Sequence, residues 1–253
     1  MALPPKKKFK TRTSKAVQAA SEREALRKMV NWTILMVCIP LLVFGIKQVN
    51  PGFFYLGQAK TYERFRQHSS AASAYERAHQ ANPEKNIEAL LDAGRLYEYL
   101  EQYDEVARIA EAIVKEDSAA TVEQRARAKF LQSRVALANE RYDDALLLAD
   151  EAQAGSKDKW YEYRSWIVMG IVLTRQGKHK EADEAFDTAI GIRRLFAPEA
   201  HYWRGQLYEV WNNQNQDAIE EYDYGLSQQP DPKLREKLKA AKAALLTKTA
   251  PTA

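Results

Sequence analysis

Two hydrophobic patterns divide the chain. The first is a continuous run, Met29–Ile46 (MVNWTILMVCIPLLVFGI), with no charged residue and with Lys28 and Lys47 at its borders. As a helix it would reach about 27 Å, close to the thickness of a bilayer's hydrocarbon core. Trp32 lies near one end, and Phe53, Phe54 and Tyr55 lie just past the other, where aromatic rings favour the membrane interface. Pro40 sits mid-span, which membrane helices tolerate. A buried core helix and a cleaved signal peptide are the competing readings of such a run. The long basic segment before it, and the lack of a small-x-small site after it, favour an uncleaved signal anchor.

The second pattern is periodic and fills the rest of the chain. Ala71, Tyr75 and Ala78 are spaced four and three apart, with Pro83 five beyond. Ala145, Ala149 and Ala152 repeat the spacing, as do Ala182, Phe186 and Ala189, and then Ala218, Tyr222 and Gly225; Val106, Ala110 and Ile113 form a diverged copy. Such a set lies on one helical face, where small residues let a neighbouring helix approach and a large one fills the adjacent gap. Upstream of each lies a second helical stripe: Tyr55, Ala59, Tyr62; Leu90, Ala93, Gly94, Tyr97; Gln132, Ser133, Ala136; Trp166, Met169, Gly170, Leu173; His201, Gly205, Tyr208. Polar turns separate the two helices of each unit, and no alternating strand pattern stands out.

These positions resemble the tetratricopeptide-repeat (TPR) signature. That signature sets an aromatic, a large apolar residue, Gly and Tyr in a first helix, then Ala, Phe/Tyr, Ala and Pro through a second. The second-helix alanine position steps from Ala71 to Val106, Ala145, Ala182 and Ala218. Those intervals exceed the family's repeat length, and lengthened linkers at Asp117–Glu123 and Ala154–Trp160 are the expected cause. The resemblance implies an all-α fold: a transmembrane helix at 29–46, then a solenoid of about five helix pairs. The expected repeats are 52–85, 87–120, 126–159, 163–196 and 199–230, followed by a capping helix at 231–247 and a tail at 248–253. A basic arm (1–28) precedes the span, and 47–51 is expected as a linker.

Charge sharpens this division. Overall there are 38 Lys+Arg against 34 Asp+Glu. Residues 1–47 hold ten basic side chains against Glu22 and Glu24, whereas the remainder holds 28 basic and 32 acidic groups. The positive-inside rule therefore places the N-terminus in the cytoplasm and the repeats outside it. A bacterial inner membrane with a periplasmic repeat domain is the expected setting; a mitochondrial or other organellar inner membrane is the alternative. The arm lacks interleaved aromatics, so anionic lipid headgroups suit it better than nucleic acid.

The resemblance also implies a concave groove for protein partners, without intrinsic catalysis. First-helix positions beside the packing stripe would line it: Lys60, Arg95 and Arg134 as a basic ladder, reinforced by Arg127 and Arg164, over an apolar floor that includes Phe130 and Ile167. Such a groove would take a segment with acidic and apolar side chains. The competing reading is that these cations are solvated or pair with Glu63, Glu98 and neighbouring acids. Trp160, Trp203 and Trp211 fall off the stripe and are candidates for an exposed aromatic patch. The residues of the carboxylate clamp found in chaperone-binding TPR domains are missing around Leu56 and Lys60.

No metal site, cofactor or enzyme activity is expected. The four His residues lack paired ligand spacing, Cys38 lies within the span, and no phosphate loop or nucleophile elbow appears. The sequence therefore points to a membrane-anchored scaffold serving assembly, biogenesis or stabilisation of a membrane complex. A permanent structural subunit is the alternative, distinguished by fixed stoichiometry. Self-association is left open.

Overall fold

The computed structural model describes residues 11–115, 120–211 and 214–249. The cations Lys6, Lys7, Lys8 and Lys10 of the arm, and tail residues 250–253, lie outside them. Among the described residues there are twelve helices and no strand.

The N-terminal unit, extending to Phe54, is dominated by helix α1 (Thr11–Val49). It contains the whole apolar run, whose described large side chains, from Met29 to Ile46, are exposed along its length. The 28-residue stretch Glu22–Val49 is long and apolar enough to cross a membrane. The expected linker at 47–51 shrinks to Asn50, because α1 continues through Lys47, Gln48 and Val49. Helix α2 (Pro51–Arg64) follows at once. Asn50 Oδ1 accepts the Phe53 N–H at 3.1 Å, and Pro51, which has no N–H to satisfy, takes the first helical position.

The second unit, from Tyr55 onward, is a run of antiparallel helix pairs. Helix α2 pairs with α3 (His68–Ala81), α4 (Ile87–Tyr99) with α5 (Tyr103–Lys115), and α6 (Val122–Ala138) with α7 (Tyr142–Gly155). Then α8 (Lys159–Arg175) pairs with α9 (His179–Ile192), and α10 (Pro198–Val210) with α11 (Asn215–Ser227). Helix α12 (Pro232–Thr249) closes the series and runs two residues past the expected cap. The expected linker at Asp117–Glu123 lies partly outside the described residues, and at Ala154–Trp160 only residues 156–158 separate α7 from α8. Helices α6 and α8 span 17 residues each, against 13 for α4 and α10, so helical residues contribute to the lengthened intervals. Thr121 starts α6 with a capping box to Gln124, and Asp158 starts α8 by accepting the Trp160 N–H.

The periodic stripes are the core. Ala71, Ala78, Val106, Ala110, Ala145, Ala149, Ala182, Phe186, Ala189, Ala218 and Tyr222 are all fully buried. The first-helix glycines explain the close pairing. A Cβ on Gly170 would stand 2.6 Å from Phe186 Cε1, and one on Gly205 would collide with the Tyr222 ring. In the diverged repeat, which lacks the aromatic, Leu131 of the next repeat comes within 2.6 Å of the Cβ position on Gly94.

The turns within the first four pairs share one geometry. Arg66, Glu101, Glu140 and Gly177 all have positive φ, between 57° and 73°. Each is followed by a residue whose N–H reaches back to the preceding helix: Gln67 to Tyr62, Gln102 to Tyr97, Arg141 to Ala136 and Lys178 to Leu173. This is the Schellman C-cap, which satisfies carbonyls that the helix end would leave open.

Candidate functional site

The first helices carry most of the basic side chains expected to face the groove. The structure couples them to acids from the same set of helices. Arg164 on α8 sends Nη1 and Nη2 to the two carboxylate oxygens of Glu98 on α4, at 2.8 and 2.6 Å. Arg134 on α6 donates its Nε to Glu98 Oε1 at 2.7 Å. The other side of Arg164 meets Glu199 on α10 at 3.5 Å, and its guanidinium lies 4.9 Å from the Phe130 ring centre and 4.8 Å from that of Trp160. The three charged side chains of this triad are only 5%, 12% and 11% exposed, for Glu98, Arg134 and Arg164 respectively. Burial alone would raise the Glu98 carboxyl. The charges and hydrogen bonds of Arg164 and Arg134 outweigh it and hold the group down at about 2.

The remaining cations follow the same rule. Arg95 Nη2 meets Glu63 at 2.6 Å, and Glu63 also accepts the Tyr75 hydroxyl at 3.0 Å. Burial works against the charged forms of Glu63 and Arg95, but their mutual hydrogen bond and attraction leave the carboxyl lowered and the guanidinium raised. Arg127 pairs with Glu88 at 2.5 Å and donates to the Tyr161 hydroxyl at 3.0 Å. Lys60 is exposed and has no ion pair among the described residues. Of the two readings, the pairing with Glu63, Glu98 and a neighbouring acid is the one these contacts follow, and Lys60 is left as the open rung.

Two floor residues are corrected. Phe130 and Ile167 are each 1% exposed and belong to the packed interior. Phe130 is enclosed by Trp160, Tyr161 and Arg164, and Ile167 packs in the cluster with Tyr163, Ile171 and Phe186. The aromatic patch also fails to form. Trp160 stands edge-on to Phe130 and Tyr161, Trp203 edge-on to Tyr202, and Trp211 stacks on His179. All three are half-buried: Trp160 packs against one core cluster, and Trp203 and Trp211 both pack against another.

Sequence reasoning missed two features. One is a second charged cluster near the C-terminal end. Arg204 meets Asp183 at 2.8 Å and Glu221 at 3.7 Å, while His201 Nδ1 lies 2.7 Å from Glu221. The other is a bridge from α12 back to the α4–α5 turn. Tyr99, Glu101, Asp231, Lys233 and Lys237 form it across more than 130 positions. The only signal for it is the excess of Lys on α12, with Lys233 and Lys237 one turn apart. Among the described residues, no group of three His, Cys, Asp or Glu is placed to hold a metal ion.

Helix pairs with small-aromatic-small interlocking and a charged inner face define a helical-repeat scaffold for protein–protein interaction. The tetratricopeptide-repeat family model matches residues 91–159 and 167–233, more than half of the chain. The chain belongs to the tetratricopeptide-repeat family, whose members are generally non-catalytic scaffolds. Solved structures agree in fold. A thermophilic TPR protein of Thermus thermophilus aligns with a TM-score of 0.58 at 19% identity, covering 78% of this chain and 99% of that one. A TPR protein of Parabacteroides merdae gives 0.58 at 15%, covering 79% and 75%. The pilF protein of Pseudomonas aeruginosa gives 0.52 at 16%, covering 80% and 93%. At these identities the likeness is one of fold alone. No curated protein matches the chain.

Proposed function

We propose that this chain is a single-pass, signal-anchored membrane protein whose repeat domain holds a protein partner close to the membrane, in the assembly or stabilisation of a membrane complex. The observation that carries the reading is α1. An uncharged run flanked by Lys28 and Lys47 lies in one exposed helix, which the chain follows after a single residue with the first helix of the solenoid. An apolar helix exposed along its length is unfavourable in water and favourable in lipid. The basic excess before the span supports an N-terminus in the cytoplasm and an extracytoplasmic, periplasmic repeat domain. Anchoring raises the effective concentration of the scaffold for membrane partners.

The partner segment is acidic with apolar side chains. Lys60 is the open cation on the inner face, and Arg95, Arg127, Arg134 and Arg164 are forks whose present carboxylates a ligand could exchange. In-cell crosslinking from a photoreactive residue at Lys60, read by mass spectrometry, tests this. The expected product is a defined membrane-complex protein joined through an acidic segment. Crosslinks only to lipid or to random abundant proteins would contradict it.

A further inference from the structure

The last helix does more than cover the last repeat. Its apolar face, with Leu238 and Leu245, packs on Ala218 and Tyr222 of α11, as a cap should. Its N-terminal end returns to the turn between α4 and α5, three repeats earlier. Asp231 caps α12 by accepting the Lys233 and Leu234 N–H groups at 3.0 and 3.2 Å, and it also faces the Tyr99 hydroxyl at 3.4 Å. Lys233 Nζ donates to the Tyr99 carbonyl at 2.6 Å, meets Glu101 Oε1 at 2.9 Å and lies 5.2 Å from the centre of the Tyr99 ring. Lys237 Nζ reaches the same Glu101 oxygen at 3.0 Å.

The strap grips a sensitive point. Glu101 lies three residues past Glu98, in the turn that closes α4, so the two carboxylates flank the end of that helix. Glu98 holds Arg134 and Arg164 in the interior, while Glu101 holds Lys233 and Lys237 at the surface. The two grips differ in strength. The triad is nearly sealed, whereas Lys233, Lys237 and Glu101 are 36%, 46% and 50% exposed. Exposed pairs of this kind are weak and screened by salt, so the N-terminal end of α12 can let go of the turn while Leu238 and Leu245 keep the helix on α11.

We propose that α12 is a releasable strap that controls access to the inner-face arginines. While Lys233 and Lys237 hold Tyr99 and Glu101, the last turn of α4 is fixed with Glu98 across Arg134 and Arg164, and the chain supplies its own acidic ligand. Release of the strap frees that turn to move, and an acidic partner segment takes the place of Glu98. The control of access rests on the groove reading given above; the release itself does not.

The test uses the full chain in lipid nanodiscs with Cys38→Ser and spin labels at Gln102→Cys and Glu236→Cys, both exposed positions. Label distances are compared with and without Lys233→Gln/Lys237→Gln, alongside binding of a fluorescent peptide of alternating Glu and Leu. The substitution removes two positive charges, so simple attraction predicts weaker peptide binding. The strap predicts the reverse: a broadened distance distribution and binding tighter by about tenfold. An unchanged narrow distance overturns the strap. A broadened distance with unchanged or weaker binding overturns its control of the arginines. Absence of peptide binding in every variant overturns the groove reading and the control together, while the distances still decide whether the strap opens.

Discussion

Glu98 on α4 and Arg164 on α8 stand 66 positions apart and meet through two hydrogen bonds of 2.6 and 2.8 Å in the interior of the repeat domain. With Arg134 they form a buried triad in which each charge depends on the others. Removing Glu98 leaves the desolvated Arg134 unpaired and Arg164 with only its 3.5 Å contact to Glu199, which costs about 3–5 kcal/mol for a broken buried pair. Glu98→Ala should lower the denaturation midpoint of the repeat domain accordingly. The double substitution Glu98→Leu/Arg164→Met should cost much less than the sum of its parts. Additive losses in urea unfolding would show that the residues are not coupled.

The same triad sets an acid limb. The folded Glu98 carboxyl, at about 2, lies below its ordinary value of 4.5. Its contribution is therefore complete above about pH 4.5 and fades as pH falls toward 2. Glu101, held down by hydrogen bonds from Lys233 and Lys237, fades over the same window. Stability measured from pH 6 to pH 2 should fall more steeply for the natural chain than for Glu98→Gln, as is general for paired carboxylates. Parallel curves would refute the assignment.

The glycine–aromatic contact within a repeat is tight. Gly170→Ala forces a Cβ to within 2.6 Å of Phe186 Cε1. Overpacking of this kind costs about 1–3 kcal/mol. Adding Phe186→Leu should restore part of the loss. A Gly170→Ala chain as stable as the natural one in thermal unfolding would contradict the packing described.

Three of the four turns with this geometry use a residue with a side chain where φ is positive. At Glu140 φ is 57°, and no ion pair or side-chain hydrogen bond of that residue stands among the described residues. Glu140→Gly should stabilise by about 1 kcal/mol by relieving left-handed strain. Gly177→Ala, at φ 73°, should destabilise by a similar amount. Changes of the opposite sign would remove the C-cap explanation.

Much of the fold was legible because TPR packing is local. Ala182, Phe186 and Ala189 announce themselves by spacing, and each stripe contacts its immediate neighbours. The inner face was legible only in part, since pairing with Glu63 and Glu98 stood as one of two readings and the packing did not show in the pattern. Phe130 and Ile167 flank the stripe by sequence, but successive first helices approach closely enough to bury them as well. The reach of Arg164 to Glu98, two repeats back, depends on how the repeats curve, which the periodicity of one helix does not encode. The grip of Lys233 on Tyr99 is further still from any local pattern.

The proposed topology sets α1 across a membrane with the repeats on the extracytoplasmic side. In the Cys38→Ser background, single cysteines at Ser14 and Lys60 are probed in intact bacterial cells with a maleimide that reaches the periplasm but does not cross the inner membrane. The proposed topology predicts labelling of Lys60→Cys in intact cells, and of Ser14→Cys only after the inner membrane is opened. Labelling in the reverse order, or release of the chain from membranes by alkaline carbonate, would contradict it.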